Sequence, residues 1–260
     1  MPLGTEVALT PGLSTLERLY IKVLGVPILG LRVRARTILR LLEAAGTPQR
    51  IVDAGSGRGV MVLACARRFP DATVLGVDLL EQQNALNNAI AQQLGLSERV
   101  TFETWDVMRL PELGTFDLII SSDTLEHLED DLSGVTMFRQ ALNPGGRLLV
   151  HVPHLTRNVF GWHRQNWMDI EGHVRPGYTK EGLTALLQQG GLHVQQCVYN
   201  YNSLETLAND LSKLITGAKE RNKGLYALAF PLLMLLVGIG ALYQPKRDGS
   251  GLVALAVRED

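Results

Sequence analysis

Apolar positions along the chain fall into short dense runs that end in acids or glycines. Between them lie segments whose apolar residues recur at helical spacing. Ile51 and Val52 run into Asp53, Ala72 to Val77 into Asp78, and the alternating segment Val100 to Trp105 into Asp106. Phe116 to Ser122 is a fourth run, and Leu142 to Val150 contains a helix end, a Pro-Gly-Gly break and a fifth. Leu192 to Tyr201 and Gly251 to Val257 are a sixth and a last. Strand-like runs alternating with helical segments from residue 32 to 190 predict a parallel sheet with crossover helices.

Two regions depart from that rhythm. Leu19 to Leu31 is mostly apolar and precedes Arg32, Arg34, Arg36 and Arg40, which reads as a cap helix with its arginines in solvent. Between the sixth and last runs lie about fifty further residues. Ser203 can cap a helix carrying Leu204, Leu207, Leu211, Leu214 and Ile215 on one face. Lys219, Arg221 and Lys223 then precede Leu225 to Tyr243, nineteen residues without a charge, and Lys246-Arg247 follow. The uncharged run is about 28 Å long as a helix at 1.5 Å per residue, enough to cross a membrane. If Gly251 to Val257 rejoins the sheet, both ends of the insert lie on one side, which argues against a single crossing. Two readings remain: a helix pair buried against the domain, and an insert at 203–247 that attaches to one membrane face with its basic flanks at the headgroups.

The chemistry begins at Asp53-Ala54-Gly55-Ser56-Gly57-Arg58-Gly59, where three glycines alternate between a strand-like run and a helix-compatible one. Such a turn lets a ligand touch the backbone, because no Cβ intervenes. An acid two residues before the first glycine suits a cationic amine better than a phosphate. The turn resembles the Asp/Glu-x-Gly-x-Gly-x-Gly signature of class I S-adenosylmethionine-dependent methyltransferases. The ordered acids Asp78 and Asp106, the Leu125-Glu126-His127 stretch, Asn143-Pro-Gly-Gly146 and Gly172-His-Val-Arg-Pro-Gly-Tyr178 extend the likeness over roughly residues 35 to 202 plus the last ten.

The resemblance implies a Rossmann-like, seven-stranded, mostly parallel sheet with helices on both faces and an antiparallel last strand. The chain then divides into a helical cap (1–45), a cofactor-binding core (46–202), a helical insert (203–247) and a last core strand (248–260). S-adenosylmethionine is the implied cofactor, with Asp53, Gly55, Ser56, Gly57 and Gly59 beside its methionine part. Asp78 is implied on the ribose hydroxyls, Leu79 against the adenine, Asp106 and Val107 at the adenine edge, and Ser122 at the fourth strand's end.

The acceptor is less defined. Five of the six histidines, His127, His151, His154, His163 and His173, lie between residues 127 and 173, on the side where the fold opens. Imidazole titrates near neutrality and suits a hydroxyl's proton. His127 and His154 are the candidates for that role. Trp162, Trp167, His173 and Tyr178 are expected to wall an acceptor pocket. The Leu-Glu-His stretch is also similar to ubiquinone-pathway O-methyltransferases, which implies a divalent metal near Asp123, Glu126 and His127; no metal ligand set is assigned from the sequence itself.

Composition narrows the field further. The chain has 260 residues, 46% of them hydrophobic, which suits one α/β domain. A net charge of −1 without a basic block in the core gives no electrostatic basis for holding nucleic acid. Cys65 and Cys197 sit in apolar runs without metal spacing, and the N-terminus shows no signal-peptide pattern. A cytoplasmic enzyme, peripheral on the membrane if the insert attaches there, is therefore expected. It would methylate oxygen, ahead of carbon or nitrogen, on a small or lipid-linked acceptor. A protein methyltransferase docking through the insert and a non-catalytic scaffold are the alternatives.

Overall fold

The computed structural model describes residues 2–165, 172–216, 222–243, 245 and 247–260. Five parallel strands carry the core: β1 (Arg50–Ala54), β2 (Thr73–Asp78), β3 (Val100–Thr104), β4 (Phe116–Ser122) and β5 (Leu142–Pro153). A short hairpin, β6 (Thr156–Val159) and β7 (Trp162–Gln165), forms a separate two-stranded sheet. The edge is completed by β8 (His193–Asn200) and β9 (Gly251–Val257), and β9 runs antiparallel to both β5 and β8. The order β3-β2-β1-β4-β5-β9-β8 reverses direction between β1 and β4, the crevice where an open α/β sheet places its ligand.

The helices are α1 (Thr15–Leu24), α2 (Leu29–Leu41), α3 (Val60–Arg68), α4 (Glu81–Gln93), α5 (Asp131–Ala141), α6 (Lys180–Gln189), α7 (Ser203–Thr216) and α8 (Lys223–Gly240). One apolar cluster joins α2, α3 and α4 to one face of the sheet through Ile38, Val62 and Ile90. The other face packs α5 and α6 through Phe138, Leu183 and Leu187. Central strands buried on both faces need continuous apolar runs, which is why they stand out in the sequence.

A third cluster builds the cap: Leu29 and Val33 of α2 meet Ala208 of α7 and Tyr226, Phe230, Leu233 and Val237 of α8. The expected single cap helix is two, broken at Gly25-Val26-Pro27, where Gly25 has φ 79°. A capping box starts α1: Glu17 N donates to Ser14 Oγ, and Ser14 N donates to Glu17 Oε2.

The arginines of α2 do not all face solvent as expected. Arg34 pairs with Asp123 at 2.7 Å, and Arg36 pairs with the buried Glu205. Ser203 is not the cap of α7 either. Asn202 Oδ1 accepts from Leu204 N and Glu205 N at 3.1 Å each, while Ser203 Oγ accepts from Phe160 N. The insert is neither wholly buried nor wholly free, since five of the eighteen residues of α8 are buried and its other side is exposed. Lys219, Arg221 and Lys246, expected as basic flanks, lie outside the described residues.

Candidate active site

The glycine turn closes over the end of β1. Gly55 N and Ser56 N both donate to Val77 O at 2.9 Å, and Gly57 N donates to Asp78 Oδ2 at 2.8 Å. A Cβ on Gly55 would stand 2.3 Å from Thr124 Oγ1, and one on Gly59 2.7 Å from the Phe102 ring, so neither position admits a side chain. Asp78 is held by Leu80 N on its other oxygen, and Asn84 Nδ2 ties Asp78 O to Glu103 O across the tips of β2 and β3. Leu79 is exposed beside them. Asp106 Oδ1 accepts from Met108 N and starts the 3-10 turn that contains the buried Val107. All these groups stand at the carboxyl ends of β1 to β4.

Several of them are unsatisfied. Asp53 is 3% exposed and its Oδ1 has no hydrogen-bond partner among the described residues, nor have Ser56, Ser121 and Ser122 Oγ. Burial, with a smaller contribution from the nearby Asp78 charge, pushes the Asp53 carboxyl up to about 7. A buried carboxylate beside an open glycine turn fits a cationic amine, which would satisfy both its oxygen and its charge.

Beyond the turn lies a cavity of about 1110 Å³ between the strand ends, α1, α2, α7 and α8. Its polar floor includes Arg34, Asp123, Glu126, His127, His151 and His173, and its walls include Leu13, Leu16, Tyr20, Ile28, Ala227 and Leu228. Asp123 has φ 56°, a left-handed conformation that turns the chain sharply after β4. Burial raises its carboxyl, but Arg34 and His151 outweigh that and hold it below the usual carboxylate range. His151 Nδ1 lies 2.5 Å from Asp123 Oδ1.

Next to this charged cluster, Glu126 is 1% exposed with neither carboxylate oxygen partnered among the described residues. Its carboxyl is raised well above the ordinary range, first by burial and then by Asp123. The rings of His127 and His173 meet edge to face with centroids 4.7 Å apart. Glu126, His127 and His173 each offer a ligand atom, all within 4.8 Å of one another. Gly172 makes the approach possible: it has φ 83°, and a Cβ there would stand 3.0 Å from His127 Nδ1.

His127 and His173 thus line the cavity, while other expected acceptor residues do not. His154 turns its Nδ1 to Thr156 O at 2.9 Å and packs its ring on Tyr199. Trp162 sits on the β6–β7 hairpin, 74% exposed, and borders a smaller pocket with Arg157, Phe160 and Asp210. Tyr178 is buried and donates its hydroxyl to Asp131 Oδ2 at 2.8 Å. Trp167 lies outside the described residues. The long loop therefore contributes one edge of the cavity, and the cap helices form most of its wall. Arg34, His151 and Tyr201 also line it and were not singled out by motif. The one local signal was His151, which ends the fifth apolar run beside the acid that follows the fourth.

Comparison with known proteins agrees with this geometry. The family described as a methyltransferase domain matches residues 31–197. A trans-aconitate 2-methyltransferase from Deinococcus radiodurans is 39% identical over 104 residues, 40% of this chain and 38% of that protein. The chain spans between 25% and 38% of the length of the curated relatives it first matches. The geranyl diphosphate C-methyltransferase from Streptomyces coelicolor A3(2), solved with Mg2+, geranyl diphosphate and S-adenosyl-L-homocysteine, shares the fold at TM-score 0.62 and 16% identity, covering 99% of this chain and 89% of that one. The [4+2]-cyclase SpnF shares it at TM-score 0.61 and 22% identity, covering 86% and 80%. The fold alone thus leaves the reaction open, and the family match carries the assignment. With that match across its glycine turn, strand acids and histidine loop, the chain belongs to the class I S-adenosylmethionine-dependent methyltransferase family.

Proposed function

We propose that the protein transfers a methyl group to a hydroxyl oxygen of an amphiphilic, small or lipid-linked acceptor held in the large cavity. The observation that carries this reading is the cavity's division. Titratable groups gather on its floor beside the glycine turn, and apolar side chains from α1 and α8 make its walls. The residues left unsatisfied at that turn, Asp53 and Ser56, fit the family's cofactor, which supplies an electrophilic methyl on a sulfonium when bound. His127 lines the floor and takes the hydroxyl proton as the acceptor oxygen forms its new bond. Arg34 and His151 fix Asp123 at the turn after β4, so the charged floor keeps its geometry without substrate.

Incubation of the protein with methyl-labelled S-adenosylmethionine and cell fractions tests this. Label in the lipid or small-molecule extract is expected. Label in protein identifies a protein methyltransferase, and label nowhere a non-catalytic scaffold; either result overturns the reading. His127→Gln should lower turnover about 10²–10⁴-fold while leaving cofactor affinity unchanged.

One observation supports a second reading, in which Glu126, His127 and His173 hold a divalent cation and His127 is a ligand rather than a base. Two buried, unpartnered carboxylate oxygens beside two imidazoles fit such an ion. It would lower the pKa of an acceptor hydroxyl. Calorimetric titration with Mg2+ and Mn2+ decides: saturable binding that Glu126→Gln abolishes supports the cation, and no heat removes it.

A further inference from the structure

A surface helix normally turns a polar side to water. The outward side of α8 carries Leu225, Leu228, Leu232, Leu235 and Ile239, all at least 47% exposed, and Leu242 follows at 88%. These residues alternate at spacings of three and four, so they form one stripe along the helix. Among the described residues, α8 is the one helix long and apolar enough to cross a membrane. It cannot do so here. Its opposite stripe, Tyr226, Phe230, Leu233 and Val237, is packed into the cap, so the helix lies flat on the domain.

A second stripe runs beside it. Leu16, Leu19 and Val23 of α1 are 58–76% exposed. Tyr20 binds the two helices together, donating its hydroxyl to Ala227 O at 2.8 Å and packing on Phe230 with ring centroids 6.1 Å apart. The mouth of the large cavity opens on this face, because Leu16 and Leu228 both line the cavity and are exposed. Charge on the face is mainly basic: no carboxylate occurs from Lys223 to Arg247, and exposed Lys22 stands one turn from Leu19. The acid of α1, Glu17, is exposed between Leu16 and Leu19 and keeps its charge, since its hydrogen bonds with Ser14 hold the carboxyl below the usual range; it offsets part of the basic margin near Lys223.

We propose that the α1–α8 face rests on a bilayer containing anionic lipid, with both helices in the interface plane, and that the acceptor reaches the cavity from that bilayer. Interfaces between protein copies are anchored by aromatic and arginine side chains. This face is leucine, isoleucine and valine with basic groups at its margin, the composition of an interfacial helix. The docking rests on exposure and charge alone, and only the acceptor's route rests on the methyltransferase reading.

Flotation of the full chain with vesicles of phosphatidylcholine, with and without phosphatidylglycerol, tests the docking. Binding to the mixed vesicles is expected, weakening as salt is raised. The double variant Leu232→Glu/Leu235→Glu lies away from the cavity lining. It should float at least about tenfold less, with its melting temperature and S-adenosylmethionine affinity retained. Equal flotation of the variant and the parent overturns the proposal. So does a parent that ignores both vesicle types and is dimeric by light scattering, with the variant monomeric, because the face then covers a second copy. Label in an aqueous metabolite from a vesicle-bound protein would remove the acceptor's route and leave the docking standing.

Discussion

Asp53 is the residue where stability and function oppose each other most directly. Its carboxyl is raised from 3.8 to about 7 in the folded chain, chiefly by burial. Between those values the folded state holds a proton that the unfolded state has lost. The contribution is therefore present in full below about pH 4 and lost as pH rises through 7, on the order of 4 kcal/mol in all. Asp53→Asn should accordingly raise the melting temperature of the ligand-free protein at pH 8. The same change removes the acceptor that would meet the cofactor's amine. Affinity for S-adenosylmethionine in the parent should rise by up to about tenfold per pH unit as pH approaches 7 and fall again above about 8, where the ligand's own amine loses its proton. In Asp53→Asn it should be weaker and lack the rise below 7. A parent affinity independent of pH, measured by calorimetry, would sink this account. Asp78→Ala gives a second check at the same crevice: the implied pair of hydrogen bonds to the ribose is worth about 1.5–3 kcal/mol each, so affinity should fall at least tenfold.

At the scale of elements, Asn202 joins the two ends of the insert. Its Oδ1 accepts from the first amides of α7, and its Nδ2 donates to Gly240 O at 2.6 Å and Tyr243 O at 2.8 Å, at the end of α8. With about 0.5–1.5 kcal/mol for each of four bonds, Asn202→Ala should cost about 2–6 kcal/mol in urea unfolding. Ser203→Ala, which loses only the bond from Phe160 N, should cost under about 1 kcal/mol; the opposite ranking would refute the assignment. Ser203 reads as a cap because capping is usually judged by residue type next to an apolar run, and Asn202 is an equally good type one position earlier. The seven-stranded sheet was legible for a different reason. Its central strands β1, β4, β5 and β9 are largely buried on both faces, so they appear as apolar runs, and acids at or near the ends of β1, β2, β3 and β4 mark where the runs stop. The β6–β7 hairpin has neither property: Thr156-Arg-Asn-Val159 and Trp162-His-Arg-Gln165 are polar segments paired only with each other. That pairing carries Trp162 outward and away from the cavity.

Across the whole molecule, the two halves of the candidate site differ in how they are encoded. The cofactor side is local, with Asp53 to Gly59 contiguous and each later acid at a strand end, so sequence order reproduces it. The acceptor side joins Leu16, Arg34, Glu126, His151, Tyr201 and Leu228, which only the folding of the cap over the sheet brings together. Those cap contacts form an apolar cluster of their own, separate from the two that hold the sheet. Phe230 is fully buried at its centre, touching the Tyr20 and Tyr226 rings. Truncating such a side chain costs about 3–5 kcal/mol. Because, among the described residues, α2 is the element that contributes to both the cap and a sheet cluster, Phe230→Ala should loosen the cap while the sheet stays folded. Hydrogen exchange should quicken in residues 15–24 and 203–243 and remain slow in β1 to β5. Cofactor affinity should hold within about twofold while KM for the acceptor rises more than tenfold, since the cavity wall and not the glycine turn is disturbed. Uniform loss of protection across the sheet, together with loss of cofactor binding, would mean that cap and core unfold as one unit.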